Sequence, residues 1–245
     1  MKNIRTRFFF TLIVLSLSVS SFKNSDKLDL FFRLSDSYFR KYVHNGLVNY
    51  QHAKKNISEL KALCQLIGQI DVSGASKEDL KAFYVNAYNL IVIYQVSEVY
   101  PINNPLDEDG FFVGKKHLVA GQELTLDELE KSKMLKELRD PRFHFVLACA
   151  AMSCPKLANF SYKPENIEHL LNQRTSQALN DNSFVRIDQG NKKVSLSKIF
   201  DWYRSDFGQS NSALLSYINK YRKVKIPASY TVDFYKYNWT LNERK

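Results

Sequence analysis

The residues best suited to chemistry stand in one stretch, Asp140-Pro141-Arg142-Phe143-His144-Phe145-Val146-Leu147-Ala148-Cys149-Ala150-Ala151-Met152-Ser153-Cys154-Pro155. It holds two of the three cysteines, a histidine and an arginine. Thiol catalysis needs a cysteine beside a base, with an amide or carboxylate orienting that base. The candidate catalytic residues are His144 and Cys154, with Asn86 or Glu130 as orienter. Ser153-Cys154-Pro155 fits a helix entrance, with Pro155 at the first helical position. A helix N-terminus there lowers a thiol pKa.

Geometry opposes the simplest pairings. Phe143 to Cys149 is short, apolar and bounded by turn signals, which predicts a buried strand. Side chains alternate along a strand, so His144, Val146 and Ala148 share one face, and Phe145, Leu147 and Cys149 the other. His144 and Cys149 then point apart. His144 and Cys154 meet only if Ala150 to Ser153 folds sharply back. A Cys149–Cys154 disulfide competes with the catalytic reading, and two buried free thiols are a third reading. Arg142 either clamps an anionic ligand or pairs internally with Asp140 or Glu130; the internal pair is the commoner use of a fixed guanidinium. Arg142, Asn89 and Tyr88 are the candidate substrate-binding residues. No Cys/His pair has zinc spacing, so neither a metal nor a cofactor is expected. His44, His52, His117 and His169 read as ordinary loop or surface histidines.

The elements that must position these residues follow from pattern. Leu28 to Tyr42 and Ile57 to Gln69 have helical apolar stripes, with Asn45-Gly46 as a turn before Leu47. Cys64 lies on the stripe of Leu60, Leu63 and Ile67 and reads as a buried, inert thiol. Ser76 with Asp79 opens a helix that runs to about Val99 and is apolar almost all round, so it is buried. Asn86 and Asn89 on that helix must find partners, either neighbouring loops or a site. Phe111 to Val119 predicts strands, and Thr125 to Glu128 caps a helix reaching Leu138. A helix opening at Pro164 or Glu165, a hairpin around Gln189-Gly190-Asn191, and helices from Ser197 and Ser212 follow. Tyr235 to Asn242 alternates aromatics and predicts a final strand. Without a βαβ rhythm, the class is α+β: one domain, its buried central helix packed on a mixed or antiparallel sheet.

Met1 to Ser21 has the pattern of a signal peptide, residues 1–21, before a single domain over 22–245. Lys2, Arg5 and Arg7 precede an apolar core too short to span a bilayer, and cleavage is expected after Ser20 or Ser21. The formal charge is +10; the leader carries those three basic residues and no acid, which leaves +7 after its removal. Basic residues are scattered apart from Lys220, Arg222, Lys223 and Lys225, and no nucleic-acid motif is present. The expected state is an exported, periplasmic or extracellular monomer with no stable membrane anchor after cleavage, no nucleic-acid partner, and a small-molecule or peptide-like ligand.

Several motifs occur together in a recognisable order. They are Asn86-Ala87-Tyr88-Asn89, Tyr100-Pro101, Leu126-Asp127-Glu128-Leu129-Glu130, Asp140 to Phe145, Ser153-Cys154-Pro155, Leu196 to Tyr203, and Asn238-Trp239-Thr240-Leu241-Asn242. In these the chain resembles the domain of unknown function 547 family, roughly from Ser76 to Asn242. The residues around Cys149 depart slightly from the Cys-Gly or Cys-Ala that often precedes Ser-Cys-Pro there. The resemblance implies an exported bacterial protein and assigns no activity. The residues themselves carry two functional expectations. One is acyl-group hydrolysis or transfer on a peptide-like or amide substrate, centred on His144 and Cys154. The other is a non-catalytic envelope binding module with a structural polar centre.

Overall fold

The computed structural model describes residues 24–245. The leader expected over Met1–Ser21 lies outside them. The chain is α+β and is organised around one helix, α4 (Lys77–Val99). Ser76 Oγ accepts from the Asp79 N–H at 3.0 Å, and the Asp79 carboxylate accepts from the Ser76 N–H at 3.1 Å. This reciprocal cap sets the helix start. Beyond it, residues from Lys81 to Ser97 are buried on nearly every side.

A helix that is apolar all round needs cover all round. Helices α1 (Asn24–Tyr42), α2 (Tyr50–Lys55) and α3 (Ile57–Gln69) supply much of it. Between α1 and α2 a tight hairpin joins β1 (Val43–His44) to β2 (Leu47–Val48). Its turn places Asn45 at φ 52° and Gly46 at φ 86°, the left-handed pair that Asn-Gly favours. A side chain at Gly46 would also strike Lys156.

Among the described residues the strands form three small sheets. The second is the hairpin β3 (His117–Val119) to β4 (Gln122–Leu124). The third is mixed: β5 (Val185–Asp188) runs antiparallel to β6 (Lys193–Leu196), and β7 (Thr231–Phe234) runs parallel to β6. This mixed sheet does not carry α4. A four-residue strand spans about 13 Å and α4 about 34 Å, so strands this short cannot cover it. The sheet belongs to a second apolar cluster that includes Phe145, Phe184, Phe200 and Phe207. Helices α6 (Ile167–Asn180) and α9 (Asn211–Tyr221) pack against one another beside it.

The central stretch is not a strand. Asp140 caps a 3₁₀ turn over Pro141–Phe145, and the chain then runs irregularly through Cys149. Proline at the first position fixes a helical φ there. Part of the polar backbone that a strand would offer a neighbour is taken instead by one side chain. Asn89 Nδ2 donates to the Val146 carbonyl at 2.9 Å, and its Oδ1 accepts from the Ala148 N–H at 2.9 Å. Ser153-Cys154-Pro155 opens no helix either; the next one starts at Ile167. Phe111 and Phe112 lie in turns, and only His117–Val119 of that segment is extended. Tyr235 to Asn242 forms no regular strand but a strap. It is tied to the centre by the Met152 N–H to the Thr240 carbonyl, 2.8 Å, and the Asn242 N–H to the Ala150 carbonyl, 2.9 Å. His117 is buried rather than superficial. Its Nε2 lies 2.7 Å from Gln95 Oε1, and burial pulls its pKa down to about 4.

Cys64 is partly buried beside Leu60, Leu63 and Ile67, and burial pushes its thiol up to about 12. The nucleophilic thiolate is therefore scarce at neutral pH. Iodoacetamide is expected to label Cys64 at least about a hundredfold more slowly in native than in unfolded protein. Peptide mass spectrometry reads this directly, and equal rates would show an accessible thiolate in the fold.

Candidate ligand-binding site

The seam between the two apolar clusters holds a cavity of about 420 Å³. A pocket of that size takes a small organic molecule. Glu130 stands at its polar centre. The residue lies two positions past the end of α5 (Leu126–Glu128), which Thr125 and Glu128 cap reciprocally. There the chain widens into a π-helix over Leu129–Leu138. Such winding is rare and concentrates at functional sites.

Three phenols surround the Glu130 carboxylate. The Tyr88 hydroxyl donates to Oε2 at 3.1 Å from the facing side of α4. Tyr203 and Tyr237 come from the C-terminal half and line the same cavity. Burial first, and the nearby carboxylate with it, pushes the pKa of Tyr88 and Tyr203 far up. Tyr237 is likewise raised, by burial, Tyr235 and Glu130. All three stay protonated and act as donors.

His144 is buried beside them. Its Nε2 lies 2.7 Å from Asp206 Oδ2, and its Nδ1 lies 4.0 Å from Glu130 Oε1. The Tyr203 ring covers the imidazole at 4.2 Å between centroids. Asp206 sits on α8 (Arg204–Phe207), and Tyr203 joins α8 to α7 (Ile199–Trp202). Much of the remaining lining is aromatic. Trp202, Tyr237 and Trp239 pack with centroids 4.8 to 5.8 Å apart, and Phe112 continues the wall at 6.4 Å from Trp239. Asp127 at the edge is paired with Lys131 at 2.7 Å.

Cys149 also lines the cavity, so the turn brings His144, Leu147 and Cys149 to one place where a strand would have split them. Cys149 is bonded to Cys154. The Tyr237 hydroxyl lies 3.2 Å from each sulfur. Cys154 is thus no free nucleophile in this state.

The remaining candidates lie elsewhere. Asn86 and Tyr88 are two positions apart, about 200° around a helix, so they face opposite ways. Asn86 Nδ2 donates to the Tyr162 carbonyl at 2.7 Å, and its Oδ1 accepts from the Tyr162 N–H at 3.0 Å. It is a clamp, like Asn89. Arg142 is consumed internally by Asp140, Glu168 and Asn172. It pairs with Asp140, not Glu130. Lys81 joins the same cluster through Asp140 at 2.6 Å and through Glu168. His144, Arg142 and Asn86 therefore form no common cluster; each has separate polar partners.

Residues 72–177 match a family described as "Protein of unknown function, DUF547". Over that segment the chain is similar to the DUF547 family. No curated protein and no solved structure matches it. The DUF547 segment supplies Tyr88, Phe112, Glu130, His144 and both bonded cysteines. Trp202, Tyr203, Asp206, Tyr237 and Trp239 follow that segment, so the cavity needs the C-terminal half as well. Sequence reasoning missed these five as site residues. One signal was available: the chain has two tryptophans, and both face the cavity. Among the described residues no group of three or more His, Cys, Asp or Glu side chains is arranged to hold a metal ion.

Proposed function

We propose that the chain is an exported binding protein whose site for a small ligand is the Glu130 cavity. One observation carries the reading. The cavity has a carboxylate, phenol donors and an aromatic wall, but the thiol that faces it is closed in the Cys149–Cys154 disulfide, and among the described residues no serine or threonine lines it. It offers groups that hold and orient a ligand without an aliphatic hydroxyl or a free thiol as nucleophile. The leader pattern and a disulfide suited to an oxidising compartment support export.

The test uses the mouth of the cavity. Val113 is 64% exposed there. Val113→Trp is expected to leave melting unchanged and to abolish ligand signals in saturation-transfer NMR against a library of small amines, sugars and dipeptides. Undiminished binding by this variant would place the site elsewhere.

A second reading rests on Cys149 and His144 lining one cavity while Asp206 holds His144. Once a thiol reductant opens the disulfide, Cys149 is the nucleophile for acyl transfer: His144 takes its proton and passes it to the departing group, and water or an acceptor then takes the acyl group from the thioester. Electrophilic labelling of Cys149 after reduction, lost in His144→Gln, favours this reading; labelling independent of His144 removes it.

A further inference from the structure

We propose that the cavity selects a small organic cation, an alkylammonium group held between the Glu130 carboxylate and the faces of Trp202 and Trp239. The inference rests on the binding reading above and names the ligand class.

Two features of opposite origin favour the same charge. An aromatic face is the negative part of a ring quadrupole and attracts a cation, tryptophan most strongly. Both tryptophans stand here, stacked at 28° between ring planes, with Tyr237 against them. The Glu130 carboxylate in the same cavity lacks a strong cationic partner. Among the described residues no lysine or arginine nitrogen lies within 4 Å of Glu130, and His144 Nδ1 approaches only to 4.0 Å. The basic side chains nearby are already engaged: Lys131 with Asp127, and His144 with Asp206. Glu130 is only slightly exposed, so its charge acts in a setting less screened than bulk water.

The rest of the molecule gives a cation no help. The chain is basic, at +10 and still +7 without the three basic residues of the expected leader, so its long-range field repels one. A measured preference for positive charge must then arise locally, in the cavity. A neutral ligand of the same shape would gain the apolar contact with the wall but neither electrostatic term. An anion would meet Glu130 directly.

Calorimetry on the oxidised, full-length protein tests this with choline and its neutral isostere 3,3-dimethylbutan-1-ol. Choline is expected to bind about tenfold more tightly. Glu130→Gln, which keeps an acceptor for Tyr88, is expected to remove that preference while the melting temperature holds. Trp202→Leu, at a half-exposed position, is expected to weaken choline several-fold more than the isostere. Equal affinity for the two probes overturns the cation inference and leaves a binding cavity in place. Silence from both, while neutral library members still bind and Val113→Trp blocks them, does the same. Silence from both, with no library member binding, removes the cation inference and the binding reading together.

Discussion

Asp140→Ala is expected to lower the stability of the fold by about 3–5 kcal/mol, the cost of stripping one partner from a buried ion cluster. For a chain of this size that is a fall of about 10 °C in Tm. Asp140 is 6% exposed and Lys81 4%. Arg142 reaches both Asp140 oxygens, at 2.8 and 2.5 Å, and Lys81 reaches one at 2.6 Å. Asp140 also accepts from the Arg142 N–H at 3.1 Å and so caps the turn that carries His144. Without it, Lys81 is a buried ammonium left with the half-exposed Glu168.

Acid titration checks the same cluster. Burial pushes the Asp140 carboxyl up, but Arg142 and Lys81 outweigh it and hold the group down to about 2. The folded pKa is below the unfolded one, so this stabilisation is complete above about pH 4 and is lost as pH falls towards 2. It amounts to about 2 kcal/mol. Asp140→Asn is expected to flatten this acid limb. A variant with unchanged Tm and the wild-type acid profile would show the cluster contributes nothing.

Reducing the Cys149–Cys154 disulfide is expected to cost about 2 kcal/mol, the loop-closure value for a short loop, and about 5 °C in Tm. The larger consequence is local. The loop joins cavity to strap: Cys149 lines the cavity, while Met152 and Ser153 bind the Thr240 and Asn238 carbonyls. Tyr237 rests on the two sulfurs. Opening the bond frees the wall that holds Tyr237 and Trp239, so ligand affinity is expected to fall more than global stability does. Cys149→Ser/Cys154→Ser reproduces the loss without reductant. Full affinity in reduced protein would uncouple the disulfide from the cavity.

The helix starts at Ser76 and Thr125 and the Asn45-Gly46 turn were legible, because capping and left-handed turns are set by residues adjacent in sequence. The central stretch was not. An apolar run between turn signals reads as a strand, whereas local turn bonds to the Phe143 carbonyl and Asn89, 59 residues before Ala148, hold it irregular. The same error separated His144 from Cys149. His144 and Glu130 were legible as chemically suitable residues. Their neighbours Asp206 and Tyr203 were not, because nothing local ties α8 to a residue 62 positions earlier. Tyr237 and Trp239 lie on a strap whose course is set by backbone bonds to 150–153, which periodicity does not encode.

The central claim is that ligand occupies the cavity bearing Glu130 and both tryptophans. With ¹⁵N-labelled protein, the indole region of a heteronuclear NMR spectrum holds two side-chain signals, from Trp202 and Trp239. Titration with a binder from the small-molecule library is predicted to shift both together along one isotherm, with a weaker isotherm in Glu130→Gln. A ligand that raises the melting temperature while both indole signals stay fixed would contradict the account.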